Sequence, residues 1–94
     1  MPVIIVKYTI TDYEAFRKSF AKRSAIREAM GFRAPRMFPV MGNPNQVVVF
    51  GETVDPRKVR AGFATPTFKR LLEESGVVGT PVLDFMDQGE KFAA

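Results

Sequence analysis

Cysteine, histidine and tryptophan are all missing from this chain. The first two absences remove disulfides, thiolate nucleophiles, Ser-His-Asp chemistry, imidazole-ligated haem and the usual zinc sites. A metal would have to be held by carboxylates such as Asp84 and Asp87, whose i, i+3 spacing puts them on opposite faces of a strand. No metal and no cofactor are therefore expected. Long apolar runs are also missing: Val3 to Val6 and Val47 to Phe50 fall far short of the ~20 residues of a membrane-spanning helix. With no signal-peptide pattern at the start, the expected location is cytoplasmic and no membrane partner is expected.

What is there is an ordinary soluble composition, 46% hydrophobic and 26% charged, with seven Gly and seven Pro spread along 94 residues. That length suits one domain and is too short for two. The expected domain spans residues 1–88, with 89–94 as a loose tail. A core of this size is limited, so covering a further face with a second subunit would help it. The net charge of +4 is uneven: residues 1–36 carry eight basic and three acidic side chains, residues 37–94 six and seven. A basic helix face is ordinarily a solvated surface, and it is also compatible with a small anionic ligand.

Residues 3–10 are β-branched and open as a continuous apolar run, which suits a central strand carrying Ile4, Val6, Tyr8 and Ile10 on one face. Thr11-Asp12-Tyr13-Glu14 reads as a capping box, with Thr11 as the cap. One helix of about five turns should follow, with Phe16, Phe20 and Met30 inward and Gly31 as its stop. Residues 32–41 contain Pro35 and Pro39 and so read as an edge or bulged strand. Gly42-Asn43-Pro44-Asn45 should be a four-residue turn into a Val-rich strand. Asp55-Pro56 and Thr65-Pro66 each place a cap before a first-turn proline, giving two short helices or one broken helix with Val59, Phe63, Phe68, Leu71 and Leu72 inward. Gly76 ends this region and Pro81 to Asp87 is the last strand. The order βαββαβ predicts a ferredoxin-like α+β fold: a four-stranded antiparallel sheet with its helices on one face.

Counting about 100° per residue from Tyr13 puts Phe16, Phe20 and Arg27 within about 40° of one another. A cation therefore stands on the apolar stripe, with Arg23 on the same side and Ser24 beside it. Arg27 can snorkel to water, pair with a strand carboxylate or bind an anion. Tyr8 and Tyr13 are the only phenols, and each is a poor base near neutral pH. Glu52 and Asp84 are the candidate strand carboxylates. Most of the nine Phe and five Met should be core, with Phe20, Phe50 and Phe63 as candidates for the border of an apolar cleft. The candidate ligand-binding set is thus Arg27, Arg23, Tyr8, Phe20, Phe50 and Phe63, with no catalytic residue assigned.

The Asp12-Tyr13 helix start with its Phe16 and Phe20 stripe, the Gly31-Phe32 step, the Gly42-Asn43-Pro44-Asn45-Gln46-Val47 hairpin and the Phe68-Lys69-Arg70-Leu71-Leu72 helix with its Gly76-Val77-Val78-Gly79-Thr80-Pro81 exit occur along nearly the whole chain. In this layout it resembles the dimeric α/β-barrel superfamily, the small ferredoxin-like domains that include the antibiotic-biosynthesis-monooxygenase-like proteins. The resemblance implies a homodimer whose sheets pack face to face and a cleft between sheet and helices in each subunit. Members include cofactor-free monooxygenases, haem-degrading enzymes, isomerases and polyketide cyclases, so the resemblance selects no single activity. The chain lacks the His used for haem and acid–base work and the Trp of aromatic oxygenase pockets.

An RNA-recognition module shares the element order, but residues 46–53 lack its basic-Gly-aromatic series. No nucleic-acid partner is expected. A regulatory amino-acid-binding domain would favour a glycine in the Ile10-Thr11-Asp12 loop, and none is there. Two readings remain: a homodimer that binds, and in one form transforms, a small organic molecule without metal or haem, and a non-enzymatic assembly or stress-associated protein whose dimer surface is the function. A cleft walled by Arg27 or Tyr8 favours the first, and a filled core favours the second.

Overall fold

The computed structural model describes residues 1–94. Its elements are β1 (Val3–Thr9), α1 (Tyr13–Lys22), α2 (Ser24–Ala29), β2 (Arg33–Val40), β3 (Asn43–Glu52), α3 (Pro56–Ala64), α4 (Pro66–Glu74) and β4 (Val82–Met86). The four strands form one antiparallel sheet in the order β2-β3-β1-β4. Alternation along β1 sends Ile4, Val6 and Tyr8 to the face the helices cover, and the register sets them beside Gly51, Val49 and Val47 of β3. Phe16 from α1, Val59 from α3, and Phe68 and Leu72 from α4 close that core, with Phe63 and Leu71 packed at its margin. Full burial of one such side chain stabilises the fold by about 1.5–3 kcal/mol.

Asp55 and Thr65 cap α3 and α4 as their positions before proline dictate, accepting from the amides of Lys58 and Phe68. The bulged edge strand is also present: β2 lies at the sheet edge and its register slips between Arg33 and Arg36 and between Pro39 and Val40. Ala34, inside the first slip, has a φ of 50°, a left-handed conformation that costs a non-glycine residue about 1 kcal/mol or more. Gly51 lies under the Phe32 ring, where a Cβ would come within 2.3 Å of it.

Three local expectations are corrected. The cap of α1 is Asp12, whose carboxylate accepts from the Ala15 amide at 2.9 Å. Thr11 is held one residue earlier, its amide donating to the Gly76 carbonyl, and Glu14 pairs with Arg17 at 3.0 Å instead of reaching back. The single five-turn helix is two, parted at Arg23 (φ −107°, ψ 24°). The hairpin turn is Met41-Gly42, with Gly42 at φ 79°, and Asn43-Pro44-Asn45 already runs in β3.

The opposite sheet face carries Ile5, Val48, Phe38 and Phe50, with Val82 and Met86 on β4 and with Lys7, Arg36 and Asp84 set beside them. The Phe38 and Phe50 rings meet edge to face at 5.3 Å, yet each stays 37% exposed in the protomer. No helix lies on this side. β4 ends at Met86, and residues 87–94 contain no helix or strand. No helix of the structure is long and apolar enough to cross a membrane.

Candidate functional site

Between helices and sheet lies a small cavity of about 20 Å³ walled by Tyr8, Phe16, Phe20, Phe63, Phe68 and Leu72. Arg23, Arg27 and Ser75 supply its polar atoms. The rings pack as a chain: Tyr8 to Phe16 at 5.0 Å, Phe16 to Phe20 at 6.0 Å, and Phe63 to Phe68 at 4.8 Å. Such a volume admits about one water, so in this conformation the interior is nearly full.

Arg27 is 9% exposed, although it stands on a helix of six residues. Its guanidinium carbon lies 3.6 Å from the Phe20 ring centroid, and its Nη1 donates to the Phe20 carbonyl. Its buried Nε has no partner. The one ion pair in the chain is Arg17–Glu14, so no carboxylate neutralises Arg27. Burial pulls the Arg27 pKa down, an effect partly opposed by Tyr8 and Glu28. Burial likewise pushes the Tyr8 phenol well above its ordinary value, with Arg27 working the other way. Tyr8 is thus a neutral group at physiological pH.

A chain of polar groups links two of the cavity's lining residues, Arg23 and Ser75, through Ser19. Arg23 Nε donates to Ser19 Oγ at 3.3 Å, Ser19 and Ser75 share a 2.6 Å bond, and Ser75 Oγ donates to the Leu71 carbonyl at 2.7 Å. Since the Ser75 proton is committed to Leu71, the Ser19 hydroxyl is the donor in the shared bond. Sequence reasoning missed both serines. Ser19 precedes Arg23 by four residues, a usable helical signal, whereas Ser75 arrives from the far end of α4 with none.

On its outer side Arg27 also walls a pocket of about 340 Å³, together with Ser24, Glu28, Phe32, Arg33, Ala34 and Pro35. That size falls at the lower end of small-molecule sites. Of the sequence candidates, the fold gathers Arg27, Arg23, Tyr8, Phe20 and Phe63 around the inner cavity. Phe50 is the correction: it pairs with Ile5 and Arg36 on the other sheet face and borders no helix–sheet cleft. Glu52 and Asp84 are exposed strand residues outside both pockets. No group of three or more carboxylates comes together to hold a metal.

No family model matches the chain, and no curated protein matches it. Solved structures do. SnoaB, a cofactor-independent oxygenase from Streptomyces nogalater, superposes with a TM-score of 0.69 at 14% identity, covering 99% of this chain and 97% of that one. A monooxygenase from the gene ActVA-Orf6 of Streptomyces coelicolor, in complex with nanaomycin D, matches with a TM-score of 0.61 at 20% identity over 99% and 92% of the two chains. An antibiotic biosynthesis monooxygenase matches with a TM-score of 0.59 at 20% identity over 96% and 100%. The chain therefore shares its ferredoxin-like fold, over nearly its full length, with these oxygenase and monooxygenase structures.

Proposed function

We propose that the chain works as a cytoplasmic homodimer that binds a small organic molecule between its helices and its sheet, without metal or haem. The observation that carries the ligand reading is Arg27, a guanidinium buried among aromatic rings with no carboxylate partner and an unpaired Nε. A buried donor without an acceptor costs about 1–3 kcal/mol, a cost that a bound acceptor removes. The aromatic walls, and the likeness to a monooxygenase with nanaomycin D bound, support a ring-containing ligand. Binding is assigned ahead of turnover because the titratable groups of the inner cavity are one neutral phenol and two arginines, none of them a ready base.

The dimer reading rests on the uncovered sheet face, where Ile5, Val48, Phe38 and Phe50 form an apolar patch bordered by Lys7, Arg36 and Asp84. A second copy packed on it face to face is self-complementary under two-fold symmetry. A second functional reading, assembly alone, is favoured by the nearly full inner cavity. Light scattering at micromolar concentration should give about twice the 10.5 kDa chain mass, and a clean monomer sinks the dimer. Native mass spectrometry and saturation-transfer NMR against a panel of neutral and anionic one- and two-ring aromatics separate the other two. A dimer that binds no member at millimolar concentration leaves assembly as the function.

A further inference from the structure

Arg27 is the one buried residue of α2. On the side of the helix facing α3 and α4, Ile26 stays 38% exposed and Ala29 is exposed as well, and both line a groove of about 330 Å³. Gly62 of α3 and Phe68 and Leu71 of α4 form its other wall. Met30 bridges the two walls, packed on Gly62 so closely that a Cβ there would come within 2.8 Å of it. A methionine is a yielding bridge, because its unbranched side chain repacks easily. Arg27 on Phe20 and Met30 on Gly62 thus tie α2 to the fold, a light anchoring that suits an element able to open locally.

Phe68 is the one residue that lines both this groove and the inner helix–sheet cavity of about 20 Å³. It is 7% exposed, and its ring meets the Phe63 ring at 4.8 Å. Its amide donates to Thr65 Oγ1, the cap of α4, at 3.2 Å. The backbone is therefore held, and the side chain is the part that can move. The groove also differs in charge from the pocket beside β2, since no charged side chain lines it and its polar side chains are Thr65 and Thr67. Thr65 Oγ1 is already engaged, donating to the Gly62 carbonyl at 2.9 Å and accepting from Phe68. An ion placed there would lose hydration and gain no partner. Because the groove opens among the helices, the dimer proposed above through the other sheet face leaves it uncovered.

We propose that, granting ligand binding in the helix–sheet cavity as set out above, the groove between α2 and α4 is the outer half of that site and the Phe68 side chain is the gate between the halves. The ligand is an uncharged, largely apolar ring compound. Its body lies along Ile26, Ala29 and Leu71, and its leading ring takes the place of the Phe68 ring against Phe63. With the gate closed the cavity has room for about one water, and displacement of the Phe68 ring supplies the space a leading ring needs. The ligand selects this open form from a mostly closed population, so the gate slows entry.

The test uses the intact protein with dimethylamino-acetylnaphthalene, an uncharged fluorescent ring ketone, and its anionic counterpart dimethylamino-naphthoate, read by methyl NMR and stopped-flow fluorescence. The ketone should show intermolecular NOEs to the Ile26 and Ala29 methyls in the groove and to the Leu72 methyls in the cavity. It should bind about tenfold or more tighter than the anion. Ala29→Phe, which fills the groove from an exposed position, should weaken the ketone about tenfold or more, and Phe68→Leu should raise its association rate constant by a similar factor. Where Phe68→Leu fails to fold, the NOE pattern of the native chain decides. Contacts to Leu72 without Ile26 or Ala29, or an affinity unaltered by Ala29→Phe, overturn the groove while ligand binding in the cavity stands. Contacts to the groove methyls alone, or an unchanged association rate in Phe68→Leu, overturn the gate. An anion that binds as well as the ketone overturns the uncharged class. If neither probe binds at millimolar concentration, the groove assignment and the ligand reading fall together.

Discussion

Replacing Arg27 with Met should change stability little, because no carboxylate partner is left behind when the cation is removed. Had a strand carboxylate been paired with it inside the protein, Arg27→Met would strand a buried charge and cost about 3–5 kcal/mol. The structure gives a different set of terms. The variant loses one charged hydrogen bond to the Phe20 carbonyl, about 1.5–3 kcal/mol, and a stacked cation, about 0.5–2 kcal/mol. It removes the unpaired buried Nε, worth about 1–3 kcal/mol, and a Met sulfur against Phe20 returns about 0.3–1.5 kcal/mol. The Phe20 carbonyl is not orphaned, since the Arg23 amide also donates to it at 3.2 Å. The terms nearly cancel, leaving a change of about 1–2 kcal/mol or less in either direction. Urea denaturation at neutral pH, with the slope checked for constancy, measures it. A loss of about 3 kcal/mol or more would refute the reasoning and point to an acidic partner for Arg27 in solution.

The position of Arg27 was legible in the sequence even though the helix carrying it was misread. A wheel drawn through one continuous helix placed it with Phe16 and Phe20, and the break at Arg23 preserves that phase because the Arg27 amide still bonds to the Arg23 carbonyl, four residues back. The break itself had no punctuation to announce it, since neither Gly nor Pro occurs between Thr11 and Met30. Tyr8 was legible for a simpler reason: strand alternation sends it inward with Ile4 and Val6. Phe50 was not, because Val47 to Phe50 is apolar at every position and alternation gives no sign there. The pairing of Val49 with Val6 puts the even residues of β3 outside, and that register depends on the whole sheet. The outer pocket was illegible as well. It is shaped by the slip in β2 at Ala34, and a non-glycine residue with positive φ leaves no mark in a sequence.

Phe50→Lys should convert the proposed dimer to a folded chain of 10.5 kDa in light scattering, because it charges the centre of the uncovered face without touching the core; a variant that remains dimeric places the interface elsewhere. Gly51→Ala should lose about 1–3 kcal/mol in chemical denaturation, since its Cβ meets the Phe32 ring at 2.3 Å, and unchanged stability would mean that Phe32 does not lie across the strand. Elemental analysis and a Soret-region spectrum should find neither stoichiometric zinc nor haem in purified protein. Stability should also fall at alkaline pH through Tyr8. In the unfolded chain this phenol ionises near pH 10, while in the folded chain burial holds it protonated well above that. Between the two values the unfolded state binds fewer protons, so stability decreases as pH rises. The contribution of Tyr8 is complete below about pH 10 and is lost at up to about 1.4 kcal/mol per pH unit above it. Arg27 favours the phenolate and moderates the effect without reversing it, because burial is the larger cause. Tyr8→Phe should therefore flatten the alkaline limb of a denaturation series relative to the native chain. If the two limbs are parallel, the phenol reaches water in the folded protein and the inner cavity is open rather than closed.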